Sequence, residues 1–131
     1  MIIGIGTDIF ALQRLAAGAI REEDPFFQRA FTPEEQAEAR QRSDRREYLA
    51  GRFAAKEAVY KAVSLCGVEF VPRDIQSADD ENGHPQALLL GRTKARFEEK
   101  YGSRYRLHLS ISHEDDYAIA FAVAEQDERS K

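Results

Sequence analysis

The sequence predicts an α+β fold in which an antiparallel sheet packs on one long central helix. A long helical pattern rich in alanine starts near Asp44 and continues to about Cys66. Alternation of apolar and polar residues, which is typical of strands, marks 2–8 and 105–123 near the two ends of the chain. A length of 131 residues predicts one domain spanning 1–131.

The composition argues against several classes of protein. A net charge of −4 argues against a general nucleic-acid binder. The longest apolar run is far too short to cross a bilayer, and the N-terminus lacks the pattern of a signal peptide, so no membrane partner is expected. The single cysteine, Cys66, excludes an internal disulfide and suits a reducing compartment. The sequence therefore predicts a cytoplasmic protein.

Charge is distributed unevenly along the chain. Residues 40–61 carry seven basic and three acidic side chains, a balance of +4 that leaves −8 for the rest of the chain. A local basic strip on an acidic protein indicates one anionic ligand. A solvated helix face is the alternative, and the sequence leaves both open.

The first predicted strand has one side without bulk. In IIGIGTD (2–8), Gly4, Gly6 and Asp8 point to one side because side chains alternate along a strand. Another element can approach that glycine side closely. Asp8 ends the pattern, where it could be either the N-cap of a helix over 9–18 or a functional carboxylate.

Two helices are predicted in the first half of the chain. TPEE (32–35) has the order of a capping box and predicts a helix that continues to about residue 41. The central helix begins near Asp44 and reads RFAAKEAVYKA (52–62) in its middle. Glu57 lies there among alanines, which is an unusual setting for a surface carboxylate.

The second half of the chain predicts two hairpins separated by a helix. Asn82 and Gly83 form a strong turn signal within 74–90, and an amphipathic helix is predicted over 91–102. The loop HEDD joins the two strands of the second hairpin, and the chain is expected to fray over 125–131.

The strands of the second hairpin, YRLHLSIS (105–112) and YAIAFAV (117–123), alternate cleanly. Because small residues cannot fill space alone, another element or another subunit is expected to pack tightly on one side of the last strand. The residues on that side are Ala118, Ala120 and Ala122.

Asp8 and Glu57 are the two carboxylates whose context is hardest to explain as surface. Magnesium is typically held by one or two carboxylates, with water and substrate phosphates completing its ligands. Lys61 follows Glu57 by four residues, on the same face of the helix. It could form an ordinary surface pair worth about 0.3 kcal/mol, or it could place a cation beside a metal-bound phosphate.

Five motifs then resemble a known family in their order and spacing. They are GIGTDI at the N-terminus, FTPEE near residue 31, RFAAKEAVYKA on the central helix, NGHP in the hairpin and LSISH near the end. The chain resembles the holo-acyl-carrier-protein synthases, the small group of 4′-phosphopantetheinyl transferases. The resemblance covers nearly the whole chain, and the first and third motifs are highly specific in combination.

The resemblance implies a 4′-phosphopantetheinyl transferase-like fold and one reaction. The phosphopantetheine arm of coenzyme A would move to a serine of an apo acyl carrier protein, and 3′,5′-ADP would be released. Asp8 and Glu57 match the magnesium ligands, and Lys61 matches the lysine that acts at the reacting phosphate, by charge or by taking the serine proton. The resemblance also implies a homotrimer with active sites at subunit interfaces.

The resemblance assigns two further sets of residues. The motifs that line the coenzyme A site contain Arg52, Asn82, Pro85, Ser110, Ser112 and His113. The face that meets the carrier protein is matched by Arg14, Phe26 and Arg29. An in-line displacement at a phosphorus of pyrophosphate depends mainly on positioning and charge neutralisation, and coenzyme A, with about four negative charges, suits the basic strip.

The chain departs from the family pattern in two places. Phe10 is bulkier than the aliphatic residue expected after GTDI. Three acidic residues also offset the three arginines between residues 11 and 30, which reduces the basic character of the carrier-protein face.

Two other functions fit part of the pattern. A magnesium nuclease of the RNase H type also has a strand-ending Asp, although we find no convincing third and fourth carboxylate on later strands. A non-catalytic trimeric binding module would keep the packing residues but has no reason to keep Asp8 and Glu57 together.

Overall fold

The computed structural model describes residues 1–15, 21–63 and 67–127. The described residues form helices together with antiparallel strands, which confirms the predicted α+β class. In chain order they are β1 (Ile2–Ala11), α1 (Pro25–Ala30), α2 (Pro33–Gln41), α3 (Arg45–Val63), β2 (Ile75–Asp79), β3 (Pro85–Leu89), α4 (Gly91–Tyr101), β4 (Tyr105–His113) and β5 (Tyr117–Gln126).

Strands β1, β5 and β4 form an antiparallel sheet in that order, with β5 in the centre. Strands β2 and β3 form a separate antiparallel hairpin. Helix α3 packs across the three-stranded sheet and touches all three of its strands. The predicted arrangement of a sheet on a long central helix is therefore confirmed.

The glycines of β1 allow α3 to approach the backbone of the strand. A Cβ atom at Gly4 would overlap the carbonyl of Ala62, and one at Gly6 would overlap the carbonyl of Ala58. The predicted close approach on the glycine side is therefore correct. Because Asp8 continues that side of β1, its side chain faces the flank of α3.

The helix predicted over 9–18 is wrong for its described part. Strand β1 continues to Ala11, because Ile9, Phe10 and Ala11 pair with residues of β5 in the same register as Asp8. A short 3₁₀ turn follows over Leu12–Arg14. Asp8 is therefore an internal strand residue and not a helix N-cap, and residues 16–20 lie outside the described part of the chain.

The other helix predictions in the first half are close to the structure. Helix α2 begins with the full capping box, in which Thr32 and Glu35 exchange side-chain and backbone hydrogen bonds of 3.2 and 2.9 Å. Helix α3 ends at Val63, and residues 64–66 of the predicted helix lie outside the described residues. Helix α1 was not predicted as a helix, because its six residues are too few to show a period.

The predictions for the second half also agree with the structure. The turn at Asn82 and Gly83 joins β2 to β3, and Gly102 ends α4 with a φ of 82°. Strand β5 continues to Gln126, so the expected fraying over 125–131 is wrong for its first two residues. Residues 128–131 lie outside the description.

The alanine side of β5 faces the chain's own central helix. Ala118, Ala120 and Ala122 are fully or almost fully buried, and β5 packs along α3. The expectation that another subunit covers part of this side is therefore wrong, because α3 itself occupies the space. The other expectation, that an element of the same chain packs there, is correct.

An ion pair between Glu35 and Lys56 lies completely inside the protein. Lys56 Nζ is 2.6 Å from Glu35 Oε1 and also donates to the backbone carbonyls of Pro72 and Ile75 at 2.9 and 2.5 Å. Glu35 Oε2 accepts a hydrogen bond of 2.6 Å from the backbone N–H of Ser77. These bonds satisfy two buried charges and join α2, α3 and β2.

None of the helices within the described residues is both long enough and apolar enough to span a bilayer.

Candidate active site

The structure brings Asp8 and Glu57 together at one flank of α3. The side chain of Asp8 is 11% exposed, and among the described residues its Oδ2 atom is buried and has no hydrogen-bond partner. Burial, as the larger cause, and the adjacent Asp8 together raise the pKa of Glu57 from 4.5 to about 7. The two carboxylates therefore share a poorly solvated site, and the charges of Arg14 and Lys61 offset the rise in the pKa of Glu57 only in part.

This pair has the chemistry of a divalent-cation site. Magnesium prefers carboxylate oxygens and usually takes only one or two from the protein. An orphaned buried carboxylate oxygen beside a second carboxylate fits that requirement, because a bound cation would compensate both charges. Within the described residues, no third His, Cys, Asp or Glu side chain joins this pair as a possible metal ligand.

Lys61 places its ammonium group beside this pair. Its Nζ donates a 2.9 Å hydrogen bond to the carbonyl of Thr7 and lies 3.5 Å from Asp8 Oδ1. Its charge also opposes the upward shift of the pKa of Glu57. The side chain remains 53% exposed, so the ammonium lies at the boundary between the carboxylates and solvent.

We expect the metal-free protein to lose stability between about pH 4.5 and pH 7 because of Glu57. Its pKa is higher in the folded protein, so the unfolded chain releases this proton first as the pH rises through that window. Stability should fall by about 1–3 kcal/mol and then level off above the folded pKa. Glu57→Gln should remove this part of the slope.

Melting temperatures measured from pH 4 to pH 8 in a chelator would test that expectation, with the exposed Glu99→Gln as the control. Equal slopes for the wild type and Glu57→Gln would contradict it.

A polar pocket lies on the opposite flank of α3. Glu57 follows Arg52 by five residues, which corresponds to about 140° around a helix. The pocket has a volume of about 290 Å³ and contains three of the residues predicted for coenzyme A, namely Arg52, Pro85 and His113. His113 Nε2 packs directly on Gly51, where a Cβ atom would overlap it.

Arg52 is held firmly in the wall of this pocket. Its side chain is 7% exposed, and its two terminal nitrogens donate to Ser77 Oγ at 2.8 Å and to Asp79 Oδ1 at 2.7 Å. Arg42 approaches the other oxygen of Asp79 at 3.4 Å. Both guanidinium groups also lie against the ring of Tyr48, at 4.6 and 5.0 Å from its centroid.

Sequence reasoning missed Arg42, Tyr48 and Asp79 as members of this pocket. Arg42 and Tyr48 read as ordinary residues near the ends of two helices, and Asp79 as the end of a hairpin strand. The i, i+4 spacing of Tyr48 and Arg52 on one helix is the signal that could have found part of the group.

The remaining residues predicted for coenzyme A lie elsewhere. Ser110 and Ser112 are exposed on the outer side of β4, whereas the neighbouring Ile111 points to the pocket. Asn82 is exposed in the hairpin turn beside Gly83, which does line the pocket. The structure of one chain therefore brings three of the six residues together.

Two of the residues predicted for the carrier protein border an apolar cavity. This cavity, of about 580 Å³, is lined by Phe26, Arg29, Phe53, Phe70 and Arg73, among others. Arg14 lies apart from it, with its guanidinium over the ring of Phe10 at 4.4 Å and its charge acting on Glu57.

The basic strip over 40–61 does not form one surface. Lys56 is buried against Glu35, Arg52 is turned into the pocket, and Lys61 lies at the carboxylate pair on the other flank. A helix distributes neighbouring residues around its axis, so a count of charges along the sequence overstates the field at any one place.

Comparison with known proteins gives a consistent result. The family described as the 4′-phosphopantetheinyl transferase superfamily matches residues 4–122. A holo-[acyl-carrier-protein] synthase of Clostridium kluyveri is 41% identical over 97% of this chain and 92% of its own length. Among solved structures, the holo-[acyl-carrier-protein] synthase of Neisseria meningitidis matches with a TM-score of 0.81 and 40% identity, over 96% of this chain and all of that one.

The ACPS–CoA complex of Chronobacterium ammoniagenes matches with a TM-score of 0.80 and 33% identity, over 95% of this chain and 98% of that one.

Proposed function

The chain belongs to the 4′-phosphopantetheinyl transferase superfamily, and we propose that it moves the phosphopantetheine arm of coenzyme A to a serine of apo acyl carrier protein, releasing 3′,5′-ADP. The observation that carries this proposal is the grouping of Asp8, Glu57 and Lys61 at one flank of α3. This grouping places two carboxylates, which can hold a metal ion, beside the ammonium of Lys61. Phosphoryl transfer depends on such a combination of groups. A reducing cytoplasm, which suits the single Cys66, is the proposed location.

Asp8 and Glu57 are the proposed ligands of a magnesium ion. The unpartnered Oδ2 of Asp8 and the raised pKa of Glu57 support this assignment, because a bound cation would offset the burial and the mutual repulsion of the two carboxylates. A divalent ion bound there would supply Lewis-acid stabilisation of pyrophosphate oxygens and of the leaving group.

Lys61 is proposed to act on the reacting phosphate. The carbonyl of Thr7 holds its ammonium beside the carboxylate pair, and the side chain is 53% exposed, so a substrate can reach it. From there it can either neutralise developing charge or take the proton of the carrier serine.

The polar pocket is proposed to bind the nucleotide part of coenzyme A. Its lining includes the guanidinium groups of Arg42 and Arg52, which can bind phosphates, and the ring of Tyr48 beside them, together with the acidic Asp44, Glu47 and Asp79. Asp79 holds Arg52 in place, so Arg52 contributes mainly a fixed charge, whereas Arg42 is more exposed and better placed to contact a ligand.

The separation of this pocket from the carboxylates supports active sites shared between subunits. Arg52 and Glu57 lie on opposite flanks of α3, so the helix stands between them within one chain. If the pocket of one subunit meets the carboxylate pair of the next, a single coenzyme A can reach both.

The outer side of the sheet supports a homotrimer. Ile9, Ile119 and Phe121 lie next to one another across β1 and β5 and are 57%, 43% and 47% exposed. Large apolar residues grouped on one sheet face indicate a protein–protein contact. Ser110 and Ser112 continue this face on β4, so both would lie at or near an interface between subunits.

We expect Phe121→Glu to weaken the trimer without unfolding the subunit. The residue is half exposed in one chain, but a charge there would be buried without a partner in an assembly that uses this face. Light scattering should show three times 14.9 kDa for the wild type and a smaller mass for the variant. Transfer activity should fall together with the trimer if the sites are shared.

Leu88→Glu is the matched control, because Leu88 is 52% exposed on the separate hairpin. A fully active wild-type monomer at the assay concentration would overturn both the trimer and the shared site. Ala120→Glu is unsuitable for this test, since Ala120 is buried against α3 and the charge would disrupt the fold.

Mass spectrometry tests the function directly. The protein is incubated with apo acyl carrier protein, coenzyme A and magnesium, and the carrier should gain one phosphopantetheine. A carrier of unchanged mass would overturn the proposed transfer. Hydrolysis of nucleic acid under the same conditions would favour the nuclease alternative, and carrier binding without any reaction would favour a binding module.

A further inference from the structure

Phe10 connects two parts of the predicted carrier-protein face. Its ring lies 5.3 Å from that of Phe53 in an edge-on arrangement, and Phe53 lies 5.6 Å from Phe26. Phe26 and Phe53 both line the apolar cavity. An unbroken row of rings therefore leads from this cavity to Phe10, where the aliphatic residue expected for the family would provide no ring.

The outer end of this row carries a cation. The guanidinium carbon of Arg14 lies 4.4 Å from the centroid of Phe10, within the range of a cation–π interaction. Phe10 is 2% exposed and packs edge-on against Phe53, so its ring is fixed. A mobile arginine side chain gains one preferred position from such a platform, because guanidinium groups stack well on aromatic faces.

The backbone supports the same position. Arg14 ends the 3₁₀ turn Leu12–Arg14, in which Leu12 N–H donates to the carbonyl of Asp116 at 2.9 Å. Leu15 N–H closes the turn on the carbonyl of Leu12 at 3.0 Å. The first of these bonds ties the start of the turn that carries Arg14 to the β4–β5 loop, and the ring of Phe10 contacts the far end of the Arg14 side chain.

The guanidinium of Arg14 lies between the two parts of the site. On one side its charge acts on Glu57 of the carboxylate pair. On the other side the ring row leads to Phe26 and the apolar cavity. Arg14 is exposed at this place, so its guanidinium is free to meet an incoming protein and could bind an acidic side chain in a bidentate manner.

We propose that Phe10 is a positioning residue that holds the Arg14 guanidinium where it receives an acidic side chain of the carrier protein. This inference rests on the proposed transferase function. Phe10 touches no substrate itself and acts through Arg14, so its loss should affect the carrier protein and not coenzyme A.

Steady-state kinetics of Phe10→Leu tests the proposal. The KM for apo carrier protein should rise by about three- to tenfold, the range expected from losing one cation–π contact, while the KM for coenzyme A changes less than about twofold. In an Arg14→Gln background, Phe10→Leu should cause no further rise in the carrier KM. Such a double-mutant cycle separates an effect through Arg14 from a general loss of packing.

Phe97→Leu is the matched control, because Phe97 is fully buried and packs on Tyr101 and Tyr105 in another part of the protein. It should lower the melting temperature without changing the carrier KM. If Phe10→Leu does not fold, Phe10→Met replaces it, since Met fills a similar volume without an aromatic face.

Equal effects of the Phe10 substitution with and without Arg14 would overturn the proposal, and so would an unchanged carrier KM. Failure of the wild type to modify the carrier would instead overturn the proposed function itself. These two failures are distinguishable, because the first occurs in an active wild-type enzyme and the second does not.

Discussion

Asp8→Asn and Glu57→Gln should each lower turnover by at least about 100-fold and leave the fold intact. Each change removes one negative charge and keeps the shape of the side chain. No third acidic side chain among the described residues joins these two carboxylates, so one neutral amide would leave the ion poorly held. The folded protein should tolerate both changes, because they relieve repulsion between two adjacent acidic groups.

The melting temperature provides a second test of magnesium binding, which does not depend on measuring activity. Magnesium should raise the melting temperature of the wild type, since a ligand that binds the native state stabilises it. The rise should be lost in Asp8→Asn and Glu57→Gln and kept in the control Glu99→Gln, which changes an exposed acid on α4. Turnover near the wild-type level in either variant, with magnesium still required, would disprove the assignment.

Lys61→Ala should lower turnover by about 100-fold or more, because charge directed at a developing phosphoryl transition state is worth about 3 kcal/mol. If Lys61 formed only an exposed surface pair, it would contribute tenths of a kcal/mol, and Lys61→Ala would leave turnover nearly unchanged. The exposed Lys94→Ala on α4 is the matched control. A loss of tenfold or less would favour an ordinary ion pair.

Lys61→Arg distinguishes the two roles of this residue. Arginine keeps the positive charge but cannot accept a proton near neutral pH. Substantial retained activity would indicate electrostatic action, whereas a loss as large as that of Lys61→Ala would indicate that Lys61 takes the serine proton.

Local signals predicted much of the fold. The capping box at Thr32 and Glu35 and the turn at Asn82 and Gly83 depend on a few neighbouring residues, and the structure contains both. The end of β1 was misjudged, because Asp8 is a good N-cap in isolation. Its pairing with Ala120 of β5, far away in the sequence, decides that the strand continues.

Buried polar contacts were the hardest feature to predict. Lys56 reads like its neighbours Arg52 and Lys61, and no local pattern marks it as fully buried. Its environment depends on Glu35 and on backbone carbonyls from other elements. The pocket and the carboxylate pair lie on different flanks of α3. This separation follows from the helical period and could not be seen from the number of charges in the sequence.

The candidate site was predicted in its centre and less well at its edges. Asp8 and Glu57 stood out because each has an unusual local setting, and the structure places them side by side. Ser110 and Ser112 come from a motif that also contains His113, yet alternation along β4 separates their side chains from the pocket.

The pairing of β1 with β5 has a consequence for biosynthesis. The first strand of the chain hydrogen-bonds to the last, and the amino group of Met1 donates to the carbonyl of Gln126. Until β5 has been synthesised, β1 therefore lacks its partner strand, and such long-range pairing forms slowly. A product truncated before β5 should leave Asp8 on an unpaired strand and should have no transferase activity.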